Sequence, residues 1–374
     1  MSRATQPRSR RNMRIFLSVA SLKPGYGGPA RSVPRLARAL AEHGAEVGLW
    51  AADGSASDAA ADHPHVRWLA GTVDEALATF GRADVIHDNG IWLPHNHRLA
   101  MLASRRGIPR IVSTRGMLEP WALRHKRCKK LIAWWLYQRH DLATARAYHV
   151  TSDAERKTIE AFGWSGQTLM IPNGVDLPDI SGRSGCATSR TALFVGRLHP
   201  VKGLSVLLEA WSRAKPDGWT LRIVGPDEAG HQKTLESDVA RLGLGRWIAF
   251  SGPLDGDALH HAYQDAALFI LPSHTENFGM AVAEALAHEL PVITTHGTPW
   301  SCVADESCGW WVVCDPGALA AAIGEAAALA PGDLHAMGAR GRTMVARRFS
   351  WDTVASSFLD GYATVVRSLE TRVS

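Results

Sequence analysis

The sequence predicts an α/β chain of two domains, each a parallel sheet covered by helices on both faces. Three observations lead there. Short apolar runs alternate with helical runs along most of the chain, and that alternation specifies parallel strands joined by crossover helices. Glycine turns stand between a strand and the helix after it at Gly27-Gly28, Gly196 and Gly279. The 374 residues are enough for two cores, and a polar, glycine-rich stretch without periodicity, residues 179–185, marks a boundary between them.

The elements follow in order. Strands are expected at 14–20, 46–51, 84–87, 110–114, 147–150 and 168–171 in the first half, and at 192–195, 220–224, 248–251, 268–271 and 292–295 in the second. Helices are expected at 31–43 and 152–162, stopped by Gly44 and Gly163, then at 204–214 and 258–265. A long final helix is expected from Trp351 to about residue 369. The first apolar stretch, 15–20, reads as an opening strand rather than a secretion signal, and no run approaches the roughly 20 residues that span a bilayer. A cytoplasmic location is therefore expected. Five cysteines (Cys128, Cys186, Cys302, Cys308, Cys314) make an odd count with no C-x-x-C pair, so reduced thiols and no zinc site are expected.

Two motifs carry chemistry. After the apolar strand 268–271 and Pro272 comes Ser273-His274-Thr275-Glu276-Asn277-Phe278-Gly279-Met280, then an Ala-rich helix bearing Glu284. A strand, a glycine turn and a helix open a crevice at the carboxyl end of a sheet, where open α/β folds bind ligands. Upstream, strand 192–195 runs into Gly196-Arg197-Leu198-His199-Pro200-Val201-Lys202-Gly203 ahead of a helix start. One Arg, one Lys and a helix N-terminus suit an anionic ligand, and the run is not a P-loop.

Together these motifs resemble the family 4 retaining glycosyltransferases of the GT-B fold. The resemblance extends to Gly25-Tyr26-Gly27-Gly28-Pro29, Ile171-Pro172-Asn173-Gly174-Val175-Asp176, Val224-Gly225-Pro226 and Phe250-Ser251-Gly252-Pro253-Leu254. It implies two Rossmann-like domains with parallel sheets facing across a cleft: residues 1–180 with a returning helix 351–374 on the acceptor side, and 181–350 on the nucleotide-sugar side. It implies a sugar transfer in which Arg197 and Lys202 hold the donor diphosphate, Glu276 and the backbone of Asn277, Phe278, Gly279 and Met280 grip the donor sugar, and Glu284 takes the ribose hydroxyls. Gly27 and Gly28 would bring main-chain N–H groups to the phosphate. Arg197, Lys202 and Glu276 are the expected catalytic residues, because preorganised charge aimed at a leaving group is often the largest catalytic contribution. Same-face attack is the mechanism the family implies. A covalent Glu276 intermediate is disfavoured.

The sequence departs from the family at 85–92. Where two histidines one residue apart are expected, the chain has His87 and then Asn89. Asn89 can bond a sugar hydroxyl but cannot act as a base. His95 and His97 are substitutes by sequence position, or simply polar residues at a helix start. Arg115, at another strand end, meets an acceptor phosphate or the donor, or else forms a structural salt bridge. Asp255-Gly256-Asp257 reads as a helix cap rather than a metal pair, so no metal and no cofactor are expected.

Net charge is +5 and uneven: nine Lys or Arg precede the first acid, Glu42, and nine lie in 105–130 against Glu119 alone. Residues 122–137 read as one amphipathic helix with Lys126, Lys129, Lys130 and Ala133 on one face and Cys128, Leu131 and Trp135 on the other. Either the cations meet an anionic membrane surface or the apolar face packs on the sheet. Nucleic acid is not an expected partner, as no recognition motif accompanies the charge. The expected partners are a nucleotide-diphosphate sugar and a saccharide acceptor, lipid-linked, for cell-surface polysaccharide or lipopolysaccharide. A GT-B epimerase or phosphorylase, or a degenerate saccharide-binding module, is the alternative.

Overall fold

The computed structural model describes residues 12–23, 26–56, 64–119, 122–123, 127–180 and 190–373. Gly25, Lys126, Cys186 and most of the 179–185 stretch lie outside the described residues.

The chain divides into two compact units, Met1–Gly174 with Trp351–Ser374, and Val175–Ser350. The division falls at Val175 because that residue already joins the second unit: its N–H donates to Phe349 O at 2.9 Å.

The first unit holds seven strands: β1 (Arg14–Val19), β2 (Glu46–Ala51), β3 (Val66–Leu69), β4 (Val85–Asn89), β5 (Arg110–Ser113), β6 (Ala147–Val150) and β7 (Gln167–Met170). Their order is β3-β2-β1-β4-β5-β6-β7, every pair parallel. Alternate residues of β1 feed two layers. Ile15, Leu17 and Val19 pack with Val33, Leu36 and Leu40 of the helix Gly28–Glu42 and with Phe358, Tyr362 and Val365 of the last helix, Trp351–Val373. Phe16, on the other face, packs with Phe80, Leu99 and Leu102. Burial on both faces is what a parallel sheet requires.

The second unit holds β8 (Thr191–Val195), β9 (Thr220–Val224), β10 (Ile248–Phe250), β11 (Leu268–Leu271), β12 (Val292–Thr295) and β13 (Gly309–Val312), in the order β10-β9-β8-β11-β12-β13, again all parallel. One continuous core fills it, with Phe194, Trp211, Phe269 and Trp300 all buried.

All eleven expected strands form, their ends within two residues of expectation. Strands β3 and β13, at sheet edges, were not expected. The expected single helix over 122–137 is corrected: Arg127–Ala133 is α-helical, Trp134–Gln138 is a π-helical turn, and Arg139–Ala143 continues as α-helix. No helix among the described residues is long and apolar enough to cross a membrane.

Candidate active site

In the second unit the strand order reverses between β8 and β11. The carboxyl ends of the two strands diverge there and leave a crevice of the kind where open α/β sheets take their ligands. Arg197 and Lys202 follow β8, and the run from Glu276 to Glu284 follows β11, so the expected donor residues of this unit lie on both lips.

Lys202 ends a single 3-10 turn, Pro200–Lys202, capped by His199, whose Nδ1 accepts from Val201 N–H at 3.1 Å. Gly203, at φ 68°, then starts the helix Leu204–Ala214. A Cβ on Gly203 would stand 2.1 Å from Pro272 O, so only glycine lets this turn approach the end of β11. That approach sets Lys202 Nζ against Glu276 Oε1 in an ion pair whose side chains are only 15% and 14% exposed. Ser273 Oγ donates to the same oxygen at 2.8 Å, and the Glu276 N–H donates to Gly297 O at 2.8 Å. A half-buried pair must recover its desolvation cost through such bonds. Lys202 carries three donors, and only the one to Glu276 has a protein partner among the described residues.

Arg197 is more exposed, and its Nη1 donates to both oxygens of Glu228 at 2.8 and 2.7 Å. Glu228 follows β9 and was not foreseen. Its loop is tied to Arg197's by Leu198 N–H donating to Pro226 O at 2.9 Å. Both expected phosphate-binding cations thus already face a carboxylate.

Gly279, at φ 81°, starts the helix Met280–Ala287. The first N–H groups of a helix have no carbonyl a turn behind them, and the helix dipole makes that end attractive to oxygen ligands. Phe278 does not face the crevice. It is buried against Trp300 and Phe349, ring centroids 5.2 and 5.7 Å away, and its carbonyl accepts from the Trp300 indole N–H. Its part is to anchor the turn. Glu284 accepts from Tyr263 O–H at 2.9 Å. Tyr263 is buried and stacks on His288 at 4.6 Å, and His288 Nδ1–H donates to Glu284 O at 2.7 Å. With Nδ1 as donor, His288 Nε2 accepts from His260 Nδ1 at 3.0 Å. Asp255 occupies the N-cap of the helix Gly256–Gln264, but its side chain makes no cap bond, so the cap reading holds by position only. Among the described residues no three His, Cys, Asp or Glu are grouped to hold a metal.

In the first unit the order reverses between β1 and β4. Gly27, at φ 89°, precedes the helix Gly28–Glu42, and Cβ atoms on Gly27 or Gly28 would meet nothing within 4 Å. Asn89 ends β4, Arg115 follows β5, and the two meet: Arg115 Nη2 donates to Asn89 Oδ1 at 2.6 Å and Nη1 to Asn173 Oδ1 at 3.1 Å. No carboxylate pairs with Arg115 among the described residues, so the salt-bridge reading is replaced by two amide acceptors. Its Nε is buried without a partner, and burial lowers its pKa, although the negative charge of Glu155 acts the other way.

Beneath them runs a one-way hydrogen-bond chain. Tyr362 O–H faces His87 Nδ1 at 2.6 Å, His87 Nε2 faces Ser113 Oγ at 2.6 Å, Ser113 Oγ faces His149 Nδ1 at 2.6 Å, and His149 Nε2 donates to Ile171 O at 2.9 Å. The terminal carbonyl can only accept, so with both imidazoles neutral every proton in the chain points the same way, from Tyr362 to His87 Nδ1, from His87 Nε2 to Ser113 and from Ser113 to His149 Nδ1. Burial, the first cause, pushes His149 down to about 3 and His87 well below its usual value. His97 Nδ1 lies 2.9 Å from Asp141, and His95 sits edge-on to Trp50 at 5.5 Å.

Comparison with known proteins bears on the family and the fold. Residues 26–178 match the family described as Glycosyltransferase Family 4, and residues 183–344 match Glycosyl transferases group 1. A GDP-mannose:cellobiosyl-diphosphopolyprenol alpha-mannosyltransferase of Xanthomonas oryzae pv. oryzae is 30% identical over 304 residues, covering 79% of this chain and 77% of that protein. A D-inositol 3-phosphate glycosyltransferase of Geodermatophilus obscurus is 32% identical over 240 residues, 59% of this chain, and the chain spans about half of that relative, 52%. Among solved structures, sucrose-phosphate synthase of Thermosynechococcus elongatus superposes with TM-score 0.77 at 24% identity, covering 96% of this chain and all, 100%, of that one. The Anabaena HepE protein in complex with UDP and glucose superposes with TM-score 0.72 at 19% identity, covering 94% and 100%. At these identities the two structures establish the fold.

Proposed function

From the premise that this chain belongs to the family 4 glycosyltransferases and has the GT-B fold, we propose that it moves a sugar, with retention of configuration, from a nucleotide-diphosphate donor to a lipid-linked saccharide acceptor. The observation that carries this reading is the Lys202–Glu276 pair at the β8/β11 reversal. Lys202 and Arg197 stabilise the departing diphosphate, a role suited to preorganised cations. Glu276 and the backbone at 277–280 hold the sugar hydroxyls, and Glu284, braced by Tyr263, takes the ribose diol. Gly27 and Gly28 offer main-chain N–H groups, while Asn89 and Arg115 hold a saccharide or phosphate oxygen. Glu276 already spends its charge on Lys202 and Ser273, which weakens it as a nucleophile and favours same-face attack over a covalent intermediate. With two cations for the diphosphate, neither a metal nor another cofactor is needed. The lipid-linked acceptor draws support from the Xanthomonas relative, whose name specifies a diphosphopolyprenol substrate. The place of work would be the cytoplasmic face of the membrane, in cell-surface polysaccharide or lipopolysaccharide synthesis.

A thermal-shift screen with UDP-, GDP- and ADP-sugars tests the donor reading: a true donor at 100 times its Kd adds about 2.7 kcal/mol of stability. Transfer of that donor should continue in EDTA and give a product of unchanged anomeric configuration by NMR. Stabilisation by no nucleotide sugar would contradict the function. An inverted product would contradict retention, and a strict Mg²⁺ or Mn²⁺ requirement would return Asp255 and Asp257 to consideration as ligands.

A further inference from the structure

We infer that Leu131, Ile132, Trp135 and Leu136 form a membrane-insertion face that docks the first unit on a bilayer rich in anionic phospholipid. The inference rests on the proposed lipid-linked acceptor for its purpose, but its chemistry is independent of the donor site.

These side chains are 56%, 61%, 68% and 75% exposed, and they make up four of the nine exposed large apolar residues among the described residues. Scattered exposed apolar residues are ordinary, but a contiguous group of large ones marks an interaction surface. The spacing i, i+1, i+4, i+5 places all four on one stripe of the helical segment 127–143.

The opposite stripe is engaged with the protein. Trp134 packs against Trp92, Phe162 and Trp164 at 6.1, 5.4 and 6.2 Å. Tyr137 O–H donates to Trp92 O at 2.8 Å, and Gln138 Oε1 accepts from Trp92 N–H at 2.6 Å. Lys130 also turns inward: Nζ donates to Ala122 O at 2.7 Å and lies 5.6 Å from the Trp92 ring centroid. Lys130 does lie opposite Leu131 and Trp135, as expected, but the reading in which the apolar face packs on the sheet is corrected. Lys130 belongs to the packed side, and Leu131 and Trp135 point to solvent.

Charge selects the occupant. No Asp or Glu lies between Glu119 and Asp141, whereas Arg124, Lys126, Arg127, Lys129, Lys130 and Arg139 do. Arg127 and Lys129 are exposed at one end of the stripe and Arg139 at the other, where its guanidinium lies 5.6 Å from the Trp135 ring centroid. A second copy meeting this face through a two-fold axis would set cation against cation. An anionic lipid surface instead neutralises the cations while its acyl boundary takes the apolar stripe, and tryptophan is suited to that boundary.

The test is co-sedimentation of the full chain with phosphatidylcholine vesicles and with vesicles containing phosphatidylglycerol, at low and high salt. Wild type should pellet with the anionic vesicles. The Trp135→Ser/Leu136→Ser protein should lose at least tenfold in bound fraction at either salt, and Lys129→Glu/Arg139→Glu should lose binding mainly at low salt. All three should melt at the same temperature and keep the same nucleotide-sugar shift. Wild type left in the supernatant, or a serine variant that pellets like wild type, would overturn the inference. So would a wild-type dimer that the serine substitutions make monomeric without any vesicle binding. Absence of any nucleotide-sugar shift in wild type that still pellets would contradict the donor reading and leave the docking face supported.

Discussion

Tyr263 donates to Glu284 from a position 1% exposed, with His288 stacked on its ring. In sequence it is one aromatic residue in a helix, and nothing there connects it with a glutamate 21 residues later. A hydrogen bond to a charged group is worth roughly 1.5–3 kcal/mol. If Glu284 holds the ribose, removing the hydroxyl should loosen that grip and leave the reacting centre alone. Tyr263→Phe is expected to raise KM for the donor about tenfold with kcat within about twofold, read from steady-state rates at varied donor. A fall in kcat at unchanged KM would contradict the positioning role. Other partners were equally hidden. Lys202 and Glu276 each stood in a legible motif, but their pairing across 74 residues depends on Gly203 packing on Pro272. Glu228, after β9, resembles any solvated loop acid until Arg197 is seen to reach it.

At the scale of elements, apolar runs bounded by glycine made most strands legible. The two that escaped are edge strands: β3 carries Arg67 mid-strand, and β13 is half-buried throughout and starts on glycine. Helical periodicity expects one helix over 122–137 and separates Lys130 from Leu131 and Trp135, but it does not say which side packs or where the segment ends. A uniform 100° wheel takes no account of the π-helical turn at Trp134–Gln138 or of a lysine reaching back to Ala122 O. The Tyr362–His87–Ser113–His149 chain joins β4, β5, β6 and the last helix, and it carries a pH signature. Burial holds the folded pKa of His149 at about 3, below the ordinary histidine value of about 6.5, so between those values the unfolded chain binds more protons than the folded one. The stabilisation is complete above about pH 6.5 and is lost as pH falls toward 3, at up to about 1.4 kcal/mol per pH unit. Urea midpoints should therefore fall between pH 7 and pH 5, and His149→Gln should flatten that slope. Parallel slopes for the two proteins would contradict it.

For the molecule as a whole, both sheets place their expected residues at the strand reversal, Gly27, Gly28 and Asn89 in one unit and Arg197, Lys202 and Glu276 in the other. That coincidence was legible because the motifs are spread, in order, over nearly the whole chain. Base, sugar and acceptor were not legible, since they depend on backbone shape and on contacts that residue identity does not fix. In the proposed reaction the β8/β11 reversal stabilises a departing diphosphate. The most direct test is turnover of the nucleotide sugar that best stabilises the protein, measured in EDTA for wild type and for Lys202→Ala. Wild type should turn over measurably, and the variant should lose about 10² or more in kcat, the size of losing one preorganised donor. Lys202→Ala turnover within about threefold of wild type, well short of that loss, would contradict it.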